Sequence, residues 1–160
     1  HPDRHNSIST SDLKVAREMT CDYPGEIYKY GDTVFHTPLP SCEIQTLGKM
    51  LRIIKPGTAL FKPLKNDFIP LHDSAVSLLT NKNFFPAVEL DYHQSVSYLK
   101  KENINIPGST IGWNIVKYRG VNFGFVKSTG NRINNYFPIK QRIMMNERFL
   151  DEKKIINWDT

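Results

Sequence analysis

The spacing of apolar and polar positions changes character along the chain. Ser9-Thr10-Ser11-Asp12 is a run of helix-capping residue types ahead of Leu13, Val15, Ala16 and Met19. It predicts a short helix from about Ser11 to Met19, stopped by Tyr23-Pro24-Gly25. Ile27–Tyr30 and Thr33–His36 flank Gly31-Asp32 and read as a β-hairpin. A short helix over Ser41–Leu47, a strand over Met50–Ile54, a turn at Lys55-Pro56-Gly57-Thr58 and a strand over Ala59–Phe61 follow. Pro70 stands where the first turn of a helix tolerates proline, with His72, Ala75, Val76, Leu78 and Leu79 behind it and Asn81-Lys82-Asn83 at its end. Ala87–Leu90 is a strand, and Asp91 caps a helix carrying Val96, Tyr98 and Leu99.

After Asn105-Ile106-Pro107-Gly108 the period becomes two. Gly112–Tyr118 and Val121–Lys127 flank Arg119-Gly120 as a second hairpin, and Ile133–Phe137 extends as a further strand before Pro138. The expected class is α+β: a small α/β module over residues 1–65, then a helix pair feeding a small, glycine-turned β-barrel over residues 66–145. The tail, 146–160, alternates charged and apolar residues and fits no element.

Composition narrows the classes without naming one. The 160 residues are 39% hydrophobic and 23% charged, a globular balance. No apolar run approaches the roughly eighteen residues of a membrane span. The opening His1-Pro2-Asp3-Arg4-His5 has no apolar signal core, so a cytoplasmic protein is expected. Two cysteines, Cys21 and Cys42, are too few for a disulfide scaffold or a closed zinc site.

Charge says more by position than by total. Residues 1–100 hold 11 basic and 11 acidic side chains, while residues 101–160 hold 10 and 5, which is the whole net charge of +5. Between Asn103 and Asn146 there is no carboxylate, yet Lys117, Arg119, Lys127, Arg132, Lys140 and Arg142 all fall there, interleaved with Trp113, Tyr118, Phe123, Phe125, Tyr136 and Phe137. Cations meet phosphates and flat rings stack on unpaired bases, so this mixture suits a nucleic-acid surface; a solvated basic face around an ordinary β core has the same composition. Asn134 and Asn135 can likewise contact RNA or hold a tight loop through local backbone bonds. Trp113 alternates with Ile115 on one strand face and reads as core.

Catalytic patterns are missing. The nine glycines sit singly at turns, so no phosphate-binding fingerprint exists, and the five histidines are scattered without ligand spacing. Cys21 lies beside Asp22, which raises a thiol pKa, and Cys42 lies in a Pro-Ser-Cys loop. No catalytic, metal or cofactor residue is expected.

The closing stretch resembles the C-terminal part of the Sun-type, and most closely the RsmF-type, RNA (cytosine-5) methyltransferases. It carries a Gly-Trp strand (Gly112, Trp113), a glycine turn (Gly120) and a Gly-aromatic-x-Lys strand (Gly124, Phe125, Lys127). An Asn-rich loop (Gly130, Asn131, Arg132, Asn134, Asn135) then closes on Phe137, Pro138 and Arg142. Tyr98-Leu99-Lys100-Lys101-Glu102 and Ile69–Ala75 match weaker upstream segments, and Gly31-Asp32 with Phe35, then Leu51–Gly57, resembles the preceding small domain, so the likeness covers about residues 10–143. Asp67 and Asn134 stand where the family carries basic residues.

The resemblance implies a small α/β domain and a PUA-like RNA-binding domain that follow the methyltransferase domain. The absence of an initiator Met fits such a piece. It implies a non-catalytic region with RNA-binding residues Lys117, Arg119, Lys127, Arg132, Asn134, Asn135, Lys140 and Arg142. The S-adenosylmethionine cofactor and the paired catalytic cysteines belong to the absent domain. The expected partners are structured RNA, above all rRNA, and the chain's own methyltransferase domain; a monomer is expected. The alternative is a protein–protein docking module.

Overall fold

The computed structural model describes residues 7–20 and 23–144. The chain divides into two compact units, His1–Pro86 and Ala87–Thr160.

The first unit is an antiparallel four-stranded sheet, order β1-β2-β3-β4, with three helices. Ser9 caps α1 (Thr10–Met19) by accepting the Asp12 amide on its Oγ at 3.1 Å. β1 (Glu26–Tyr30) and β2 (Thr33–Thr37) form the expected hairpin across Gly31, whose φ of +63° suits the turn. Every residue of β2 is buried, as befits an inner strand. α2 (Ser41–Met50) then leads to β3 (Thr58–Pro63).

Two expectations fail here. Met50–Ile54 is not a strand: Met50 ends α2, and Leu51 and Ile54 are exposed with no strand beside them. Pro70 does not start a helix but ends the edge strand β4 (Phe68–Pro70), where its missing N–H costs no ladder bond. α3 is correspondingly short, His72–Val76. Its Ser74 hydroxyl donates to the carbonyl of Leu71 at 2.7 Å and lies 3.2 Å from that of Leu60, fastening the helix to the sheet. Phe61 packs on Phe68 at 5.2 Å between ring centroids, and Phe84 meets Phe85 edge-on at 4.8 Å. The expected boundary near residue 65 falls inside the β3–β4 hairpin, about twenty residues short of the division at Pro86.

The second unit has a four-stranded sheet, order β5-β6-β7-β8. β5 (Ala87–Glu89) pairs parallel with β6 (Gly112–Tyr118), and the crossover between them contains α4 (Tyr92–Leu99). α4 opens on a reciprocal capping box between Asp91 and Gln94. It ends with Glu102 N–H donating to Ser97 O and Lys101 N–H donating to Tyr98 O. That pattern needs a left-handed residue after the cap; here it is Lys101, φ +62°, where glycine is usual.

β6 and β7 (Val121–Ser128) close a two-residue turn in which Arg119 (φ +50°) and Gly120 (φ +76°) are both left-handed, the geometry matched to sheet twist. β8 (Ile133–Asn135) is shorter than the expected 133–137 strand, and a 3-10 turn follows at Ile139–Gln141. The core gathers Leu90, Tyr98, Ile104, Ile106, Val116, Val126 and Phe137. The α+β class holds. The closed barrel does not appear among the described residues: β5 and β8 each pair with one neighbour, and both are three residues long.

Candidate nucleic-acid interface

The eight residues proposed from sequence do not form one constellation; the second sheet distributes them over three places. The first is a row across its middle. Register sets Trp113 opposite Lys127 and Lys127 opposite Asn134, so the three side chains share one face. Lys127 Nζ lies 5.0 Å from the Trp113 ring centroid, a cation–π distance. Tyr136 meets the same indole at 4.4 Å, tilted toward edge-on. Trp113, expected in the core, is only half-buried, under Lys127 and Tyr136, and its Nε1 is buried without a hydrogen-bond partner.

The second place is the β6–β7 turn. Arg119 sits at its tip with its guanidinium 5.4 Å from the Tyr118 ring centroid. The Gly120 amide donates to Glu89 Oε1 at 3.0 Å, so a carboxylate from β5 approaches this turn. Lys117 pairs in register with the same Glu89.

The third comprises the β7–β8 turn and the segment beyond β8. Gly130, φ +90°, opens the turn, and Thr129 N–H donates to Arg132 O at 2.9 Å, leaving the Arg132 side chain exposed. Lys140 and Arg142 are exposed on and just after the 3-10 turn. Ile143 N–H donates to Leu99 O, which ties that segment to the end of α4.

The adjacent asparagines part company. Asn135 faces the core side: its amide donates to Tyr98 O at 2.8 Å and its Oδ1 accepts the Phe137 amide at 2.9 Å. Asn134, one residue earlier, lies on the Lys127 face. Asn135 is thus a structural clasp. Asn114, wholly buried, is another: it donates to the carbonyls of Thr110 and Gly112 and accepts from the Thr110 amide and hydroxyl.

Sequence reasoning missed two features. Lys101 Nζ donates to Asn135 O at 2.9 Å and Phe137 O at 2.6 Å, and desolvation lowers its pKa. The second is a groove of about 700 Å³ between residues 103–109 and 130–133. Its signal was present as Asn103-Ile104-Asn105-Ile106, where both isoleucines are buried and both asparagines exposed.

No set of three or more His, Cys, Asp or Glu converges among the described residues. Cys42 is exposed, and Cys21 lies outside the described residues, as does the 146–160 tail. No described helix is long and apolar enough to cross a membrane.

The family model described as the methyltransferase RsmF PUA domain matches residues 85–143. Over 138 residues the chain is 31% identical to ribosomal RNA small subunit methyltransferase F of Shewanella loihica; the match takes in 78% of this chain and 27% of that relative. The chain therefore spans about a quarter of the curated relative's length. The match begins within two residues of the division between the compact units, so the parallel strand, the capped helix and the β6–β7–β8 sheet all fall inside it. Over residues 85–143 the second unit of this chain is thus similar to the PUA domain of the RsmF-type methyltransferases.

Proposed function

We propose that this chain is the non-catalytic, RNA-binding C-terminal region of an S-adenosylmethionine-dependent rRNA or tRNA cytosine-5 methyltransferase, acting in the cytoplasm. The supporting observation is the coincidence of the RsmF PUA match, residues 85–143, with the stretch after Asn103 that has six basic residues and no carboxylate. Its task is affinity and register. Arg132, Lys140 and Arg142, all exposed, are suited to backbone phosphates, and Arg119 presents a fourth cation at a hairpin tip. Lys117 and Lys127 are half-buried; Lys127 reaches a phosphate only from beside Trp113. Asn135 shapes the loop rather than touching RNA. The cofactor and the methyl-transfer chemistry belong to the methyltransferase domain, and this region holds the RNA against it as a monomer.

The test is binding of the chain to rRNA fragments over a salt series. Each neutralised phosphate contributes about 0.7–0.9 to the slope of log K against log salt. Alanine at Lys127, Arg132 and Arg142 together is expected to flatten that slope by about 2 and weaken binding. Unchanged affinity with an unchanged slope overturns the reading.

One observation favours a second reading. In the first unit Leu47, Met50, Leu51 and Ile54 form an exposed apolar run, Ile54 at 89% exposure. Such a run suits docking on the methyltransferase domain or a ribosomal protein. Competition separates the two: RNA displaces a partner bound through the basic unit and leaves one bound through this run.

A further inference from the structure

The asparagines of the second unit fall into two groups. Asn114 and Asn135 have their side chains engaged inside the fold. Asn103, Asn105 and Asn131 make no side-chain hydrogen bond among the described residues, and all three line the groove beside Arg132. Ile104 and Ile106 behind it are core residues, 9% and 4% exposed, so the surface the groove offers is mainly polar. No carboxylate lines it.

That combination selects a ligand chemistry. A carboxamide offers a donor and an acceptor side by side, the pattern that reads a base edge. One guanidinium with no competing carboxylate attracts a phosphate. The volume lies within the range of small-ligand clefts, about 300–1,000 Å³, so one nucleotide fits. Paired bases in an RNA helix hide these edges in a deep, narrow groove; an unpaired base exposes them.

We propose that this groove takes a single unpaired nucleotide of a structured RNA, with Arg132 on its phosphate and the amides of Asn103, Asn105 and Asn131 on the base edge. The inference rests on the RNA-binding reading and refines it. The cations elsewhere supply affinity, and the groove supplies preference for a bulge or loop.

The experiment uses the full chain and two labelled RNA hairpins that differ only by a one-nucleotide bulge, followed by fluorescence anisotropy. Wild type is expected to favour the bulged hairpin about tenfold, which corresponds to one or two hydrogen bonds of ordinary net strength. The Asn103→Ala/Asn105→Ala/Asn131→Ala variant is expected to bind the paired hairpin like wild type and to lose the preference. Asn131→Asp, which sets a carboxylate beside the phosphate site, is expected to weaken the bulged probe more than Asn131→Ala does. The replaced side chains are exposed, and circular dichroism of each variant checks that the fold persists. A variant that keeps the preference, or a wild type that binds both probes equally, overturns the groove assignment and leaves the RNA-binding reading standing. Failure of wild type to bind either probe at low salt overturns both.

Discussion

Tyr98 reaches from α4 onto β7 and is wholly buried. Its hydroxyl donates to Phe125 O at 3.1 Å, and its ring occupies the space that a Cβ on Gly124 would need. Burial pushes the phenol well above its ordinary pKa, so it stays a neutral donor at any working pH. Tyr98→Phe is expected to cost about 1 kcal/mol, the net worth of one buried hydrogen bond. Gly124→Ala is expected to cost about 1–3 kcal/mol through overpacking. In the double variant the missing hydroxyl relieves part of the clash, so urea unfolding should give less than the sum; strict additivity would mean the two residues do not meet. None of this was legible beforehand, since Gly124 reads as one more strand glycine and only three-dimensional packing aims Tyr98 at it. Asn134 and Asn135 show the same limit. Identical neighbours in the sequence, they point to opposite faces once β8 exists, and only Asn135 lies within reach of Tyr98 O.

Elements with local signals were readable. The capping run Ser9–Asp12, the Gly31 turn, the Asp91 cap and the Arg119-Gly120 turn each fix their element within a few residues, and all four elements appear. What failed was decided at longer range. A short apolar run such as Met50–Ile54 becomes a strand only where a neighbour pairs with it, and proline suits a sheet edge as well as a helix start. The β3–β4 pairing has a direct consequence for the first unit. A fragment ending at residue 65 loses β4, α3 and the Phe68–Phe84–Phe85 cluster. Residues 1–86 keep them. The longer fragment is expected to melt cooperatively by circular dichroism and the shorter one to show no transition; a cooperative melt of 1–65 would restore the boundary drawn from the pattern of elements.

At the scale of the whole molecule, the fold concentrates what the charge pattern foretold. Residues 1–86 hold 10 basic and 9 acidic side chains, whereas residues 87–144 hold 8 and 3. The acid-free window was legible as a run of letters, but its division into an indole row, a hairpin tip and the β7–β8 turn with the segment beyond it was not, because register assigns the faces. The parallel strand carries a consequence of another kind, in time rather than space. β6 and β7 are neighbours in sequence and can close within microseconds around their own turn. β5 must wait: its partner lies 28 residues further along, beyond α4, and the chain entropy of that crossover has to be overcome before the pairing adds stability. The Leu90 amide, which donates to Lys117 O, reports this junction, and it should gain protection in pulsed hydrogen exchange after the β6–β7 amides; simultaneous protection would argue against the order. Glu89 reaches the Gly120 amide only at that late step, so the turn that bears Arg119 is completed by a strand that pairs after the hairpin has closed.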